Sequence, residues 1–216
     1  AMKKILSEYL GTTLLVAIVV GSGIMATDLT QDVGLQLLIN TIATVFGLAV
    51  LILILAPIGG AHFNPVVTLV DLIQGKSSIL QFIQYAIAQT LGAISGALLA
   101  NAMFDHAIIE TATKIRSGSN LYLAEIVATA GLIIVINLLV AQKNLTVIPA
   151  AVAAWIGSAY FFTSSTSFAN PAVTIGRTFS DSFAGIAPES TPKFIAAQIL
   201  GALIGLGLTK VLTHDK

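Results

Sequence analysis

The sequence predicts an all-α membrane protein with six transmembrane helices and two short half-helices that enter the bilayer without crossing it. Only 9% of the 216 residues are charged and 56% are hydrophobic, whereas soluble domains carry about 25% charged residues. An apolar stretch of about 20 residues is long enough to cross a bilayer. Stretches of this kind fall at 5–26, 35–56, 79–104, 120–141, 145–164 and 193–213.

Two Asn-Pro motifs begin the half-helices, which we predict over 64–74 and 170–181. Asn is a strong N-cap, and Pro is favoured at the first helical position. A helix well short of the ~20 residues needed for a span persists at membrane depth only where it is buried in protein or lines a watery cavity. Two of them in corresponding halves indicate a pore or binding site near the middle of the membrane. The motifs are Asn64-Pro65-Val66 and Asn170-Pro171-Ala172.

The two halves of the chain form an internal repeat. Glu8 in the first span is echoed by Glu125 in the fourth, and the pattern Ala-Gln-x-Leu-Gly-Ala surrounds both Gln89 and Gln198. Each half contains three full spans and one half-helix, so the second half enters the membrane from the opposite side and the repeat is inverted. We therefore predict a single channel domain over 1–216. Its first repeat covers about 1–110 and its second about 118–216.

The side chains of Asn64 and Asn170 are the main candidates for pore chemistry. A carboxamide accepts through its oxygen and donates through its NH₂ group. If the oxygen caps its own half-helix, the NH₂ group can donate into the lumen. Two such donors beside two converging positive dipole ends would orient water and oppose cations and protons. The alternative is plain N-capping of two packed helices.

Glu8 and Glu125 are ionisable residues inside apolar segments, which makes them functional hypotheses by default. A coupled secondary transporter would use them as titrating sites. In a structural role, each would instead accept hydrogen bonds from backbone N–H groups that the re-entrant loops leave free. His62 allows a similar choice, since it could be a gate or pH sensor or a hydrogen-bonded loop histidine.

Other functional classes find no support in the residues. The formal net charge is zero, which gives no reason to expect a nucleic-acid partner. No His or carboxylate cluster has metal-ligand spacing, and no nucleophile or acid–base constellation suggests an enzyme. We therefore expect neither a cofactor, nor a metal, nor catalysis.

The paired motifs, with His62-Phe63 before the first, resemble the aquaporin or major intrinsic protein family over essentially the whole chain. This resemblance implies an aquaporin-like fold and homotetramers with one pore per subunit. It also implies four filter positions outside the Asn pair, usually including an Arg directly after the second motif. This chain has Val173 there instead.

Counting along the family pattern places the filter on Thr44, Ser158, Ser167 and Val173, a small, half-polar and uncharged ring without large aromatics. Phe46 could replace Thr44 if the pattern contained a gap, but the two lie about 200° apart on a helix and cannot both line the pore. We choose Thr44 because it needs no gap.

Arg177 is the nearest substitute for the missing Arg. It follows Val173 by four residues, on the same helix face and about 6 Å further out. It could line the outer mouth of the pore, or it could form a salt bridge with Asp181.

The chain thus looks like a bacterial subgroup of the family that lacks the filter Arg. We predict a passive channel for water and small uncharged solutes that are glycerol- or arsenite-acid-like. The alternatives are a strictly water-selective aquaporin and, with less support, a coupled secondary transporter that uses Glu8 and Glu125. We expect a multi-pass plasma (inner) membrane protein surrounded by the lipid bilayer, and the Lys and Arg distribution favours both termini on the cytoplasmic side. The cytoplasmic side would hold Lys3, Lys4, Lys76, Lys143, Lys210 and Lys216.

Overall fold

The computed structural model describes residues 2–213, so that Ala1 and the predicted cytoplasmic Lys216 lie outside the described residues. Within this range the chain is helical and contains no β-strand. The eight α-helices are α1 (Met2–Leu29), α2 (Val33–Gly59), α3 (Pro65–Ile73), α4 (Ile79–Met103), α5 (Ser119–Ala141), α6 (Ile148–Phe162), α7 (Pro171–Gly176) and α8 (Thr191–Thr213). Short 3₁₀ turns lie at Leu145–Val147, Arg177–Phe179 and Pro188–Ser190.

Six helical segments are long and apolar enough to cross a membrane, which confirms the predicted architecture. They comprise α1, α2, α4, α5 and α8, together with α6 and the 3₁₀ turn before it. Large apolar side chains cover their outer faces, among them Phe46, Leu53 and Val211, which are 69%, 61% and 73% exposed. In a bilayer these side chains would contact lipid rather than water.

Each repeat is held together by one close pair of helices, α1 with α4 and α5 with α8. Glycines permit this close approach. A Cβ atom built on Gly96 would lie 2.2 Å from the Thr13 carbonyl oxygen, and one on Gly205 would lie 2.5 Å from that of Ala130. Gly92 and Gly201 make the equivalent contacts one turn earlier. The glycine spacing is that of small-xxx-small packing in membranes.

The half-helices α3 and α7 begin where the Asn-Pro motifs predict. Asn64 Oδ1 accepts from the Val66 N–H at 3.1 Å, and Asn170 Oδ1 accepts from the N–H groups of Ala172 and Val173 at 3.0 and 3.2 Å. Both prolines occupy the first turn. The sequence motif therefore specifies each helix start through its own side chain.

The second half-helix is shorter than the predicted 170–181. Helix α7 ends at Gly176, and a 3₁₀ turn carries the chain only to Phe179 before Ser180 becomes extended. Residues of the loop between α4 and α5 bond the carbonyls at this point, since Ala112 N donates to Thr178 O at 2.9 Å. These carbonyl groups thus accept hydrogen bonds from the loop, and no further α-helical turn is needed to supply their donors.

Candidate functional site: the central cavity

One cavity of about 680 Å³ runs through the middle of the molecule and contacts both Asn64 and Asn170. We call its two ends the Arg177 end and the Lys76 end, after the basic residue that lines each. Much of the wall between them is aliphatic, with Leu48, Ile52, Leu132, Ile136, Val152 and Ile156 on it. The predicted half-helices thus meet at a cavity, as the pore interpretation requires.

The two asparagines are tied to each other's repeat. Asn64 Nδ2 donates to Ala169 O at 2.8 Å, and Asn170 Nδ2 donates to Phe63 O at 2.7 Å. Each NH₂ group has two hydrogens, so one is used in this crossed bond and the other is left for the cavity. Capping and donation into the lumen are therefore not exclusive, because the oxygen and the NH₂ group serve different partners.

The loop before each asparagine has an uncommon backbone that is the same in both repeats. Ala61 and Phe63 have φ angles of 51° and 50°, and Ser167 and Ala169 have 52° and 50°. Such left-handed non-glycine residues cost of order 1–3 kcal/mol each and persist only where their surroundings hold them. In each repeat they lie three and one residues before the asparagine, and the carbonyl of the second one accepts the crossed amide bond.

Glu8 and Glu125 hold these loops in place. Glu8 accepts from the N–H groups of His62 at 2.9 Å and Phe63 at 2.7 Å. Glu125 accepts from those of Phe168 at 2.9 Å and Ala169 at 2.8 Å. Both carboxylates are fully buried, and neither lines the cavity. This is the geometry of the structural role, and a transporter would need such groups to face the lumen.

Gln89 and Gln198 complete the same arrangement. Gln89 Nε2 donates to Glu8 at 2.8 Å and Gln198 Nε2 donates to Glu125 at 2.7 Å. Each glutamine also bonds the threonine one turn into the half-helix, which is Thr68 or Thr174. The repeated sequence pattern around Gln89 and Gln198 thus encodes one hydrogen-bond network, used twice.

Three of the four predicted filter residues line the cavity: Thr44, Ser167 and Val173. The choice of Thr44 over Phe46 agrees with the structure, since Thr44 is 2% exposed and faces the cavity while Phe46 is 69% exposed on the outside.

The assignment of Ser158 is wrong. Ser158 is exposed, its hydroxyl donates to Ala154 O at 2.8 Å, and it does not line the cavity. Tyr160 takes that place, with its hydroxyl 3.3 Å from Thr44 Oγ1. A shift of two residues turns a side chain by about 200°. The cavity wall therefore contains an aromatic residue, Tyr160, near Thr44, whereas the sequence predicts four filter positions without large aromatics.

A signal for Tyr160 was present in the sequence. Cavity-lining residues of α6 recur every fourth position, at Ile148, Val152, Ile156 and Tyr160. Residues four apart share one helix face. Extending this cavity-facing side of α6 by one more turn beyond Ile156 selects Tyr160. Counting along the family pattern selects Ser158 instead, because it assumes a fixed loop length.

Arg177 lines the cavity and does not pair with Asp181. Its side chain is buried, its Nε donates to Ala184 O, and its guanidinium carbon lies 3.4 Å from the centroid of the Phe168 ring. Asp181 instead accepts from Thr113, through the backbone N–H at 2.8 Å and the hydroxyl at 3.0 Å. Of the two roles considered, the structure shows the cavity-lining position.

A second arginine, Arg116, also packs against the ring of Phe168. The Arg116 guanidinium carbon is 4.9 Å from the Phe168 centroid, and its Nε donates to Gly185 O at 2.9 Å. Burial lowers the pKa of Arg116 to about 10, against an opposing effect of Glu125. The sequence analysis missed this pairing, because Arg116 belongs to a loop about 60 residues away.

The Lys76 end contains a histidine–aspartate pair. His62 Nε2 lies 3.3 Å from Asp71 Oδ2, and its Nδ1 lies 3.0 Å from Thr68 Oγ1. The ring packs edge-on against Tyr85, with 5.6 Å between centroids. His62 is thus a hydrogen-bonded loop histidine that also lines the cavity. Between residues 2 and 213, no group of three or more His, Asp or Glu side chains could hold a metal ion.

Comparison with known proteins finds a matching family model, similar sequences and a solved structure of similar fold. A family model described as major intrinsic protein matches residues 1–169. The aquaglyceroporin AqpS of Rhizobium meliloti (strain 1021) is 46% identical over 210 residues, which cover 97% of this chain and 90% of that protein. Aquaporin TIP2-3 of Arabidopsis thaliana is 40% identical over 102 residues, or 46% of this chain and 41% of its own. The solved aquaglyceroporin of Plasmodium falciparum has a TM-score of 0.70 at 21% identity, covering 99% of this chain and 96% of its own.

Proposed function

The chain belongs to the major intrinsic protein family, and we propose that it is a passive membrane channel for water and small uncharged solutes such as glycerol. The observation that carries this proposal is the cavity of about 680 Å³ that contacts the N-termini of both half-helices. At that point each asparagine offers one N–H, and each half-helix presents its positive dipole end. Cations are disfavoured there, while a neutral molecule with an oxygen acceptor is not.

The chemistry of the wall suits a small polyol. Thr44 and Tyr160, which carry hydroxyl groups, line the cavity together with the two asparagines. The aliphatic side chains of Leu48 and Val152 line it as well. A molecule such as glycerol could satisfy its hydroxyls on the first set while its carbon atoms contact the second. An ion would lose its hydration against the same aliphatic wall without compensation.

Val173 supports passage of more than water. The side chain after the second motif is aliphatic and 5% exposed, so this position contributes neither a fixed charge nor the five donors of an arginine. Arsenite acid, an uncharged molecule with three hydroxyls like glycerol, belongs to the same proposed solute class. The strictly water-selective alternative draws on Tyr160, an aromatic residue that lines the cavity with its hydroxyl 3.3 Å from Thr44 Oγ1.

The placement in the cell and the assembly are part of the same proposal. With both termini cytoplasmic, the Lys76 end of the cavity opens inward and the Arg177 end opens outward, which has the positive-inside sign. The inner membrane is the proposed site. The apolar outer faces of the helices are compatible with lipid contact and with a homotetramer in which each subunit has its own pore.

Stopped-flow light scattering of proteoliposomes tests the channel. We expect vesicles with the protein to change volume faster than empty vesicles, both under an osmotic gradient that moves water and under gradients of glycerol, urea or arsenite. These rates should not depend on a proton gradient. Faster water flow without faster solute flow would identify the strictly water-selective alternative. Uptake that requires a proton gradient would favour the transporter, and rates equal to those of empty vesicles would refute a channel.

A further inference from the structure

Two buried arginines lie near the Arg177 end of the cavity, and neither forms a salt bridge with a described acid. Arg177 is 2% exposed and Arg116 is 9% exposed. In the part of the chain that the structure describes, the contacts within 4 Å between basic and acidic side chains are His62–Asp71 and His106–Glu110, and neither arginine takes part in one. A buried charge without an opposite partner is costly, so this pair is a feature that needs an explanation.

The arginines are anchored through a fraction of their donors. Arg177 uses Nε on the Ala184 carbonyl, and its two Nη groups donate to no residue that the structure describes. Arg116 uses Nε on Gly185 O and Nη2 on Phe183 O at 3.4 Å. Since Arg177 lines the cavity, its Nη groups are the donors left for a molecule inside it.

Ser167 does not add a donor to this space. The residue lines the cavity and is 3% exposed, but its hydroxyl oxygen is itself buried and has no hydrogen-bond partner among the described residues. Ser167 directly precedes Phe168, the residue whose ring Arg177 covers. The unpartnered guanidinium of Arg177 is therefore the donor that faces the cavity, and it matches an acceptor-rich ligand.

Neighbouring charges keep this end of the cavity positive. Desolvation, with added repulsion from Arg116 and Arg177, lowers the pKa of Lys114 to about 8. Among the nearby acids, Asp181 is engaged by Thr113 and Glu110 faces His106. Glu125 is the acid whose charge reaches both arginines, and backbone N–H groups already occupy both of its oxygens.

We propose that the Arg177 end is a binding site for a small tetrahedral oxyanion, of the sulfate or phosphate class, held by the Arg177 Nη groups. Guanidinium groups match the geometry of such oxyanions through paired donors. Arg116 and Lys114 raise the local potential without direct contact. The site lies in the same cavity that neutral solutes would use, but it recognises charge.

A bound oxyanion would occlude the channel rather than cross it. Beyond Arg177 the anion would meet Val173 and the aliphatic side chains of the wall, which cannot replace its hydration. The anion therefore stays at the mouth and obstructs solute flow. This occlusion rests on the proposed channel function, whereas the binding itself does not.

Two measurements separate binding from occlusion. The first is the thermal unfolding of the purified protein in sulfate, phosphate or chloride at equal ionic strength and pH 7, where Lys114 is charged. The second is glycerol flux into proteoliposomes with the same salts on both sides of the membrane, which removes any dependence on protein orientation. We expect sulfate and phosphate, but not chloride, to raise the unfolding temperature and to slow glycerol flux.

Three variants assign the effect to the site. Arg177→Gln should weaken the inhibition by sulfate at least about tenfold, as the loss of a charge-assisted bond predicts. Ser167→Ala is a control in the same cavity wall: its hydroxyl oxygen is buried and bonds no described residue, so sulfate should inhibit this variant as it inhibits the parent. Lys193→Gln removes an exposed charge of the same sign elsewhere on the surface, and sulfate should inhibit it as it inhibits the parent.

The outcomes are distinct. No shift in unfolding temperature with either oxyanion would overturn the site, as would equal weakening in Lys193→Gln, because screening of surface charge would then suffice. Radioactive sulfate that enters vesicles as fast as glycerol would overturn occlusion. If Arg177→Gln reduced the shift in unfolding temperature and the protein showed no glycerol flux, the binding site would be supported and the channel proposal would fail.

Discussion

At the scale of single residues, the chain uses buried carboxylates as fixed acceptors. Glu8 and Glu125 each accept two backbone N–H groups from a loop with left-handed residues. A charged acceptor makes bonds roughly twice as strong as a neutral one. The carboxylates therefore supply the interaction that keeps the strained loops, and with them the asparagines, in position.

Glu8→Gln and Glu125→Gln should each lower the yield of folded protein and its unfolding temperature. The amide has one oxygen and an NH₂ group that faces a backbone donor, so about 1.5–3 kcal/mol is lost for each charged bond removed. The check is gel filtration with thermal unfolding in detergent. Glu189→Gln, an exposed acid, serves as control and should behave like the parent.

The same variants also address the transporter alternative. Glycerol flux through whatever folded protein remains should keep the pH dependence of the parent, because neither carboxylate contacts the cavity. A flux that loses its pH dependence with a normal yield of folded protein would contradict the structural role.

The contacts of a residue could be predicted from the sequence where they are made within its own motif. Asn64 and Asn170 could be assigned from sequence because each caps the helix that follows it, an interaction within two or three residues. Tyr160 could not be placed in this way, and Ser158 was chosen in error. Which face of α6 meets the cavity depends on contacts with α2, more than 100 residues away.

At the scale of helices, close packing between α5 and α8 depends on glycine at defined positions. Gly205→Ala should destabilise the protein, because the new Cβ atom would lie 2.5 Å from the Ala130 carbonyl oxygen. Overpacking of this kind costs typically 1–3 kcal/mol. Fluorescence of the single tryptophan, Trp155, during heating provides the measurement.

Gly207→Ala is the matched control in the same helix. A Cβ atom there would meet nothing within 4 Å, and Ala has the higher helix propensity. Its unfolding temperature should equal or slightly exceed that of the parent. Equal destabilisation by both changes would mean that close packing of α8 on α5 is not the cause.

Helix boundaries were predictable to the extent that hydropathy and capping define them. The spans and the start of both half-helices follow from local sequence. The end of α7 does not, since its carbonyls bond residues from a loop between α4 and α5. A contact with residues so far away in the sequence produces no pattern within the segment around α7 from which its end could be predicted.

At the scale of the whole molecule, we expect the residue after the second motif, Val173, to decide which solutes the cavity admits. Val173→Arg would place a fixed charge and additional bulk beside Thr44 and Tyr160. We expect glycerol flux to fall roughly tenfold, which corresponds to about 1.4 kcal/mol, and water flux to fall less. Parallel stopped-flow measurements of both solutes test this.

Val173→Ala is the companion variant because it adds neither charge nor volume. It should retain the preference of the parent between glycerol and water. If the two fluxes fell equally in Val173→Arg, the arginine would be obstructing the pore rather than selecting among solutes, and the filter assignment would lose its support.

The crossed amide bonds have a consequence for assembly. Among the described residues, the Asn64 amide donates to Ala169, and the carbonyl of Phe63 accepts from Asn170. Neither bond can form from one half of the chain alone. The geometry of each re-entrant turn is therefore completed by the other half, and we expect the first half by itself to lack the asparagine arrangement of the intact chain.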